Sequence, residues 1–121
     1  MKEAIHIARQ ELLETIRQQQ GMIFKFIEVD GKFIHTLCDG DLMYQMGLVP
    51  EQVIGKELKD FLPPNSTDEK LQAYRRAWNG EEPVIYESEV NGVYYIASLK
   101  PIKRNGKVVE VIGSCIDITR R

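Results

Sequence analysis

The residues that most readily carry out chemistry are few in this chain and stand far apart. The 121 residues include two cysteines, Cys38 and Cys115, and two histidines, His6 and His35. The cysteines form no CxxC pair, and the histidines are too distant to give the ligand spacing of a zinc site. We therefore expect no bound metal and two reduced, mostly buried thiols, as in a cytoplasmic protein.

No catalytic motif is present either. The sequence contains no P-loop, nucleophile elbow or triad candidate. Glu81 and Glu82 are adjacent carboxylates beside Gly80 on a predicted loop, whereas acid–base catalysis needs carboxylates that face one site. Solvated side chains are the favoured interpretation of this pair, and an enzyme is the least favoured class of function.

Length, composition and charge are typical of one globular domain. Hydrophobic residues make up 43% of the chain, charged residues 28%, and the formal net charge is -2. This balance gives no general attraction to nucleic acid or anionic lipid. The apolar runs are far shorter than the roughly 20 residues needed to cross a bilayer, so we expect no membrane span.

The first 20 residues predict an amphipathic helix that flanks the domain. They contain no Gly or Pro, and apolar residues recur at steps of three and four, which places them on one stripe. The stripe packs on the domain, on a partner helix, or on both. Its members are Ile5, Ala8, Leu12 and Ile16.

Residues 21–121 predict the domain itself, with two strands, several short helices and three more strands. The strands are predicted at 22–29, 32–37, 83–90, 93–101 and 107–118. Asp30-Gly31, Asn91-Gly92 and Asn105-Gly106 join three pairs of them, and these dipeptides favour the positive φ of type I′ hairpins. We expect an α+β fold: a five-stranded antiparallel sheet with short helices on one face.

One longer helix is predicted in the middle of the chain. Ser66 and Glu69 match a capping box, and the helix that follows places Leu71, Tyr74 and Trp78 on one face. Asn79-Gly80 marks its end.

Three segments of the sequence resemble PAS domains. They are the stretch GLVPEQVIGK at 47–56, the step LKPI at 99–102, and the closing Asp117-Ile118-Thr119 followed by two arginines. Their order and spacing, within the predicted pattern of strands and helices, extend the resemblance over residues 22–121. It implies the PAS fold and a sensory role in a bacterial signalling protein, with an effector such as a histidine kinase or cyclic-dinucleotide enzyme linked after Arg121.

The resemblance also bears on cofactors. In the light–oxygen–voltage subclass a cysteine lies three residues after the glycine that corresponds to Gly55, and here that position is Leu58. One kind of haem-binding member has a histidine on the long helix, which residues 66–80 lack. A lone strand histidine such as His35 is more often structural than an iron ligand. We therefore predict no flavin adduct and no haem, and leave room for an unidentified small molecule.

By resemblance, a pocket lies between the sheet and the helices. The alternative is that the same side chains simply fill a close-packed core. Gly113 leaves space there for a ligand or for another side chain. The candidate residues are Leu42, Met46, Phe61, Leu71, Tyr74, Tyr95, Ala97, Leu99, Val111, Gly113 and Cys115.

Two functions are compatible with these observations. In the first, a ligand or partner shifts the last strand, and Asp117 and Thr119 pass the shift on by capping the helix that leaves the domain. Alternatively, those two residues end the strand before a free tail. In the second function, the domain is a ligand-free interaction module and the N-terminal helix pairs two chains into a homodimer.

Overall fold

The computed structural model describes residues 21–119. The predicted helix over residues 1–20, with Ile5, Ala8, Leu12 and Ile16, lies outside the described residues, and so do the last two arginines. Within the described part of the chain, no helix is long and apolar enough to cross a membrane.

Five strands form one antiparallel sheet, as predicted. Their bounds are β1 Gly21–Val29, β2 Lys32–Asp39, β3 Val84–Val90, β4 Val93–Arg104 and β5 Lys107–Asp117. β2 and β4 continue two and three residues beyond their predicted ends, and every other strand end lies within one residue of its prediction. The strand order in the sheet is β2-β1-β5-β4-β3, so the last strand lies in the middle and pairs with both β1 and β4.

The three predicted hairpin turns are confirmed. Asp30, Asn91 and Asn105 have φ of 52°, 51° and 53°, and each is followed by a glycine with positive φ. Two successive residues of positive φ define the type I′ turn, whose twist matches that of the flanking strands.

Short helices cover one face of the sheet. In chain order they are α1 Asp41–Gln45, α2 Pro50–Val53, 3-10 turns at Leu58–Asp60 and Pro64–Ser66, and α3 Asp68–Trp78. On α3, the Tyr74 ring stacks on Phe26 of β1 with centroids 4.0 Å apart. Arg75 forms a salt bridge with Glu28 and lies 4.5 Å from the Phe33 ring centroid. These contacts fix α3 across β1 and β2.

The start of α3 differs from the prediction. Ser66 does not cap the helix, because it lies inside the 3-10 turn that runs directly into α3, and its N–H donates to Pro63 O. Thr67 precedes the first helical residue with no side-chain capping bond, and its hydroxyl instead donates to Pro64 O. The predicted capping box is therefore wrong.

The buried face of α3 also differs from the prediction. Leu71 is 40% exposed, so the expectation that it faces the core is wrong. The buried stripe instead follows i, i+3, i+4 and i+7 spacing, one position earlier on the helix. Its members are Lys70, Ala73, Tyr74 and Ala77.

A bulge in β2 turns its later residues toward the helices. Phe26 of β1 pairs with His35 whereas Lys25 pairs with Leu37, so Thr36 is the extra residue on β2. Such a bulge re-aims the side chains that follow it. As a result His35 and Cys38, three residues apart, are both buried on the core side.

Gly113 in β5 is required by the ring of Phe24 on the neighbouring strand. The two residues pair directly across the β1–β5 ladder. A Cβ on Gly113 would overlap the Phe24 ring, with Cε2 2.6 Å away and two other ring atoms closer still. Of the two uses predicted for this glycine, it therefore serves the packing of another side chain.

We expect Gly113→Ala to lower the free energy of unfolding by roughly 1–3 kcal/mol, the usual cost of forcing an extra carbon into a packed core. Urea unfolding measures the change. Ser114→Ala, at the exposed neighbouring position, is the control and should have little effect. Equal stability of the two variants would show that the Phe24 ring moves aside freely.

Candidate functional site

A small cavity lies between the sheet and the helices. Its volume is about 30 Å³, which is room for roughly two water molecules. Most of its wall is aliphatic or aromatic. The side chains that carry polar atoms are His35, Cys38, Lys70, Tyr74, Tyr86 and Tyr95.

The structure separates the predicted pocket residues into three groups. Met46, Phe61, Tyr74 and Tyr95 line the cavity. Leu71 lies on the exposed face of α3, away from the cavity. The rest are buried in the surrounding core and do not line the cavity wall; they are Leu42, Ala97, Leu99, Val111, Gly113 and Cys115.

His35 is held by hydrogen bonds at both ring nitrogens. Nδ1 lies 2.8 Å from Lys56 O and Nε2 lies 2.8 Å from the Tyr74 hydroxyl. Burial lowers the pKa of His35, although the bond to Lys56 opposes this, so the ring is neutral. A carbonyl only accepts, so Nδ1–H donates to Lys56 and Nε2 accepts from Tyr74. His35 therefore joins β2 to α3 and to the loop after α2, with neither nitrogen left to bind iron.

The three tyrosine hydroxyls of the cavity are neutral. Burial raises the pKa of Tyr74 and Tyr86 well above the ordinary value, and it also raises that of Tyr95. Their hydroxyls bring three neutral hydrogen-bonding groups into the cavity wall. A ligand in the cavity would meet neutral O–H groups and no phenolate.

Both cysteines are free and buried, as predicted from the sequence. Burial raises the pKa of Cys38 to about 12, with a further contribution from the charge of Asp39. Burial likewise raises the pKa of Cys115. Since the thiolate is the nucleophile, neither residue is suited to covalent chemistry near neutral pH. Among residues 21–119, no three His, Cys, Asp or Glu side chains are grouped to hold a metal ion.

Lys70 is the unexpected member of the site. It projects from α3 into the cavity wall and is only 2% exposed. Its Nζ has no hydrogen-bond partner among residues 21–119, and lies 5.9 Å from the centroid of the Tyr95 ring. Burial lowers the pKa of Lys70 from its ordinary 10.5 to about 8, with smaller opposing effects from Cys115, Glu69 and Glu89.

The chain leaves the sheet through a set of hydrogen bonds centred on Thr119. The Thr119 hydroxyl accepts from Tyr94 N–H at 2.8 Å, and its own N–H donates to Asp117 Oδ1 at 2.8 Å. Ile118 N–H donates to Tyr94 O at 2.8 Å. We call these bonds the exit latch; they fix the end of β5 to the beginning of β4. Capping of a following helix by Asp117 and Thr119 stays a prediction.

Replacing Lys70 by methionine should stabilise the domain by on the order of 2 kcal/mol at pH 7, because an unpaired buried ammonium costs stability. The folded-state pKa is the lower one, so this cost is fully present below pH 8 and disappears as pH rises toward 10.5. The difference in urea stability between Lys70→Met and the original chain should shrink over that range.

Lys107→Met, at an exposed position at the start of β5, is the matched control for loss of one positive charge. It should alter stability by a few tenths of a kcal/mol at most. A Lys70→Met variant that is less stable than the original chain, or a difference that does not vary with pH, would contradict the assignment of Lys70 as an uncompensated charge.

Comparison with known proteins identifies the fold. A family model described as "PAS fold" matches residues 18–121. A search of curated proteins found no match. Solved structures of the same fold include a domain of an HTR-like protein from Haloarcula marismortui, 18% identical with a TM-score of 0.63, covering 84% of this chain and 100% of that one.

Two more solved structures extend the comparison. A sensory box sensor histidine kinase structure from Vibrio cholerae is 19% identical, with a TM-score of 0.62 and coverage of 98% of each chain. The LOV protein of Rhodobacter sphaeroides is 11% identical, with a TM-score of 0.65 and coverage of 95% of this chain and 69% of that one. At such low identity these structures support the fold alone. With the family match over nearly the whole length, they show that the chain belongs to the PAS fold family.

Proposed function

We propose that this domain is a sensory module that binds a small molecule in the cavity and passes the event through β5 to a linked effector. The main support is the packing of Phe24, whose ring forms part of the cavity wall and covers Gly113 in the middle of β5. A ligand that displaces this ring acts directly on the central strand, because Gly113 has no side chain to absorb the movement.

A second set of contacts links the cavity to the exit latch. Tyr95 lines the cavity and pairs with Asp117 across the β4–β5 ladder. Its neighbour in the chain, Tyr94, holds Thr119 and Ile118. A shift of Tyr95 therefore changes the strand segment that carries the latch. A ligand favours one latch state only if it binds that state more tightly.

The effector in this proposal follows Arg121 in the parent protein. Structures of the same fold include a sensor histidine kinase from Vibrio cholerae, which makes a kinase of this type the first candidate. The domain itself contributes no catalytic group in this scheme, and its output is the position of residues 117–119.

We propose that the ligand of this domain is not a flavin. A structure similar to this one is described with a flavin analogue in a light–oxygen–voltage domain. Pockets for ligands of that size have volumes on the order of 300 Å³ or more, against about 30 Å³ here. Leu58, buried in the wall, stands where the photoreactive subclass has its cysteine. The ligand of this domain is therefore proposed to be much smaller.

Xenon tests the coupling between the cavity and β5 without a need to know the natural ligand, because xenon occupies small apolar cavities. Under xenon pressure, the amide NMR signals of Phe24 and Tyr95 should shift, and so should those of Gly113 and Ile118. Amides in the β1–β2 turn at 29–32 should stay unchanged. Shifts confined to residues of the cavity wall would contradict transmission through β5.

The Thr119→Val variant sharpens this test, because valine keeps the shape of threonine and removes its hydroxyl bonds to Tyr94. We expect the xenon response of Ile118 to fall while that of Phe24 is retained. Thr36→Val, on the exposed side of edge strand β2, is the matched control and should leave both responses unchanged.

The second candidate function, a dimerisation module, is favoured by apolar side chains that are exposed, within residues 21–119, on the other face of the sheet. Ile85, Tyr94 and Ile116 are 56%, 53% and 64% exposed on the face opposite the short helices. Several large apolar side chains exposed on one face of a sheet are typical of an interaction site. The predicted stripe of the N-terminal helix is one source of a partner for it.

Sedimentation distinguishes the modes of pairing. If the helix pairs two chains, replacing Leu12 and Ile16 together with glutamate should convert a dimer to a monomer. A dimer that survives this change but is lost in Ile85→Glu/Ile116→Glu would assign the interface to the sheet face instead. A monomeric original chain would contradict dimerisation by either surface.

A further inference from the structure

We propose that the cavity selects a small carboxylate, with its charged end on Lys70 Nζ and a short apolar remainder against the aromatic and aliphatic wall. The inference rests on the proposed function as a ligand-binding module and adds the chemical class of the ligand. The inference is specific to this chain and does not follow from membership of the fold family, since it depends on the single residue Lys70.

The first argument is the unsatisfied state of Lys70. Buried polar groups in folded proteins nearly always have hydrogen-bond partners, and buried charges are paired. Lys70 Nζ has three donors and no acceptor for them among residues 21–119. A bound anion supplies both the acceptors and the opposite charge.

The second argument is that the protein groups around Lys70 do not fill this role. The charges of Glu69 and Glu89 affect the pKa of Lys70 less than burial does, and neither residue forms a salt bridge with it in the described part of the chain. Cys115 is a protonated thiol, and the Tyr95 ring on β4, whose centroid lies 5.9 Å from Lys70 Nζ, offers no hydrogen-bond acceptor of opposite charge. His35 uses both of its nitrogens elsewhere.

The third argument concerns size and shape. A volume of about 30 Å³ holds roughly two waters, so the ligand has only a few non-hydrogen atoms. Phe24, Leu58 and Phe61 line the cavity and offer contacts to a methyl or methylene group. A carboxylate of about two carbons, such as acetate, satisfies both the charge of Lys70 and the apolar wall, and a charge-assisted hydrogen bond gives it orientation.

A surface groove adjoins the cavity. A groove of about 320 Å³ beside the 3-10 turn at Pro64–Ser66 shares Leu48, Phe61, Leu62 and Val90 with the cavity wall. Asn91 Nδ2 donates to Met46 O at 2.7 Å next to this groove. Side-chain rotation of the shared residues would connect the cavity to solvent while the sheet stays in place.

Isothermal titration of the whole 121-residue chain with sodium acetate, in a carboxylate-free buffer at pH 7, tests the proposal. We expect one site per chain. Lys70→Met should weaken acetate binding by at least tenfold, and Lys107→Met should leave it unchanged. Urea unfolding of both variants checks that each is folded.

Acetamide, which has nearly the shape of acetate without its charge, and sodium chloride are the comparison ligands. The proposal is overturned if acetamide or chloride binds as tightly as acetate. It is also overturned if folded Lys70→Met keeps its acetate binding, or if the original chain binds no acetate at tens of millimolar. Acetamide binding without acetate binding would leave the sensory proposal standing, whereas a failure of the xenon test removes the sensory proposal whatever acetate does.

Discussion

The packing of the Phe24 ring on Gly113 is the contact on which the rest of this domain depends. It places an aromatic wall of the cavity on β5, the central strand of the sheet, which pairs with β1 and β4. In the proposed function, a change in the cavity is transferred to that strand because protein interiors are close-packed. The same strand ends in the exit latch on Tyr94, so the path from cavity to chain exit runs within one sheet.

In the proposed function, Lys70 is the group that binds the charged end of the ligand. A charge buried without a partner destabilises the ligand-free state, and the binding of an opposite charge removes that penalty. The unpaired charge therefore lowers the stability of the unliganded domain only. The hydrogen bonds of His35 to Tyr74 and Lys56 hold the neighbouring part of α3 in place. In this account the hydrophobic wall sets the size of the ligand and Lys70 sets its charge.

Local patterns predicted the sheet well, because Asp-Gly and Asn-Gly specify turns by backbone sterics alone. Local patterns gave the wrong buried face for α3. Hydrophobicity assigns Leu71 to the core, whereas its side chain lies on the exposed face of the helix. The spacing of Ala73, Tyr74 and Ala77 matches the buried i, i+3, i+4, i+7 stripe. The first residue of that stripe is Lys70, and a hydrophobicity pattern does not assign a lysine to the core. His35 and Cys38 share the cavity through a bulge at Thr36, which depends on pairing between strands.

The most direct test of the central claim is the hydrogen-exchange rate of the Ile118 amide, which donates to Tyr94 O. Phe24→Leu withdraws the ring from Gly113 and leaves every bond of the exit latch in place. If the cavity wall acts through β5, local exchange at Ile118 should accelerate by several-fold under native conditions. An unchanged Ile118 rate in a folded Phe24→Leu domain would contradict the account.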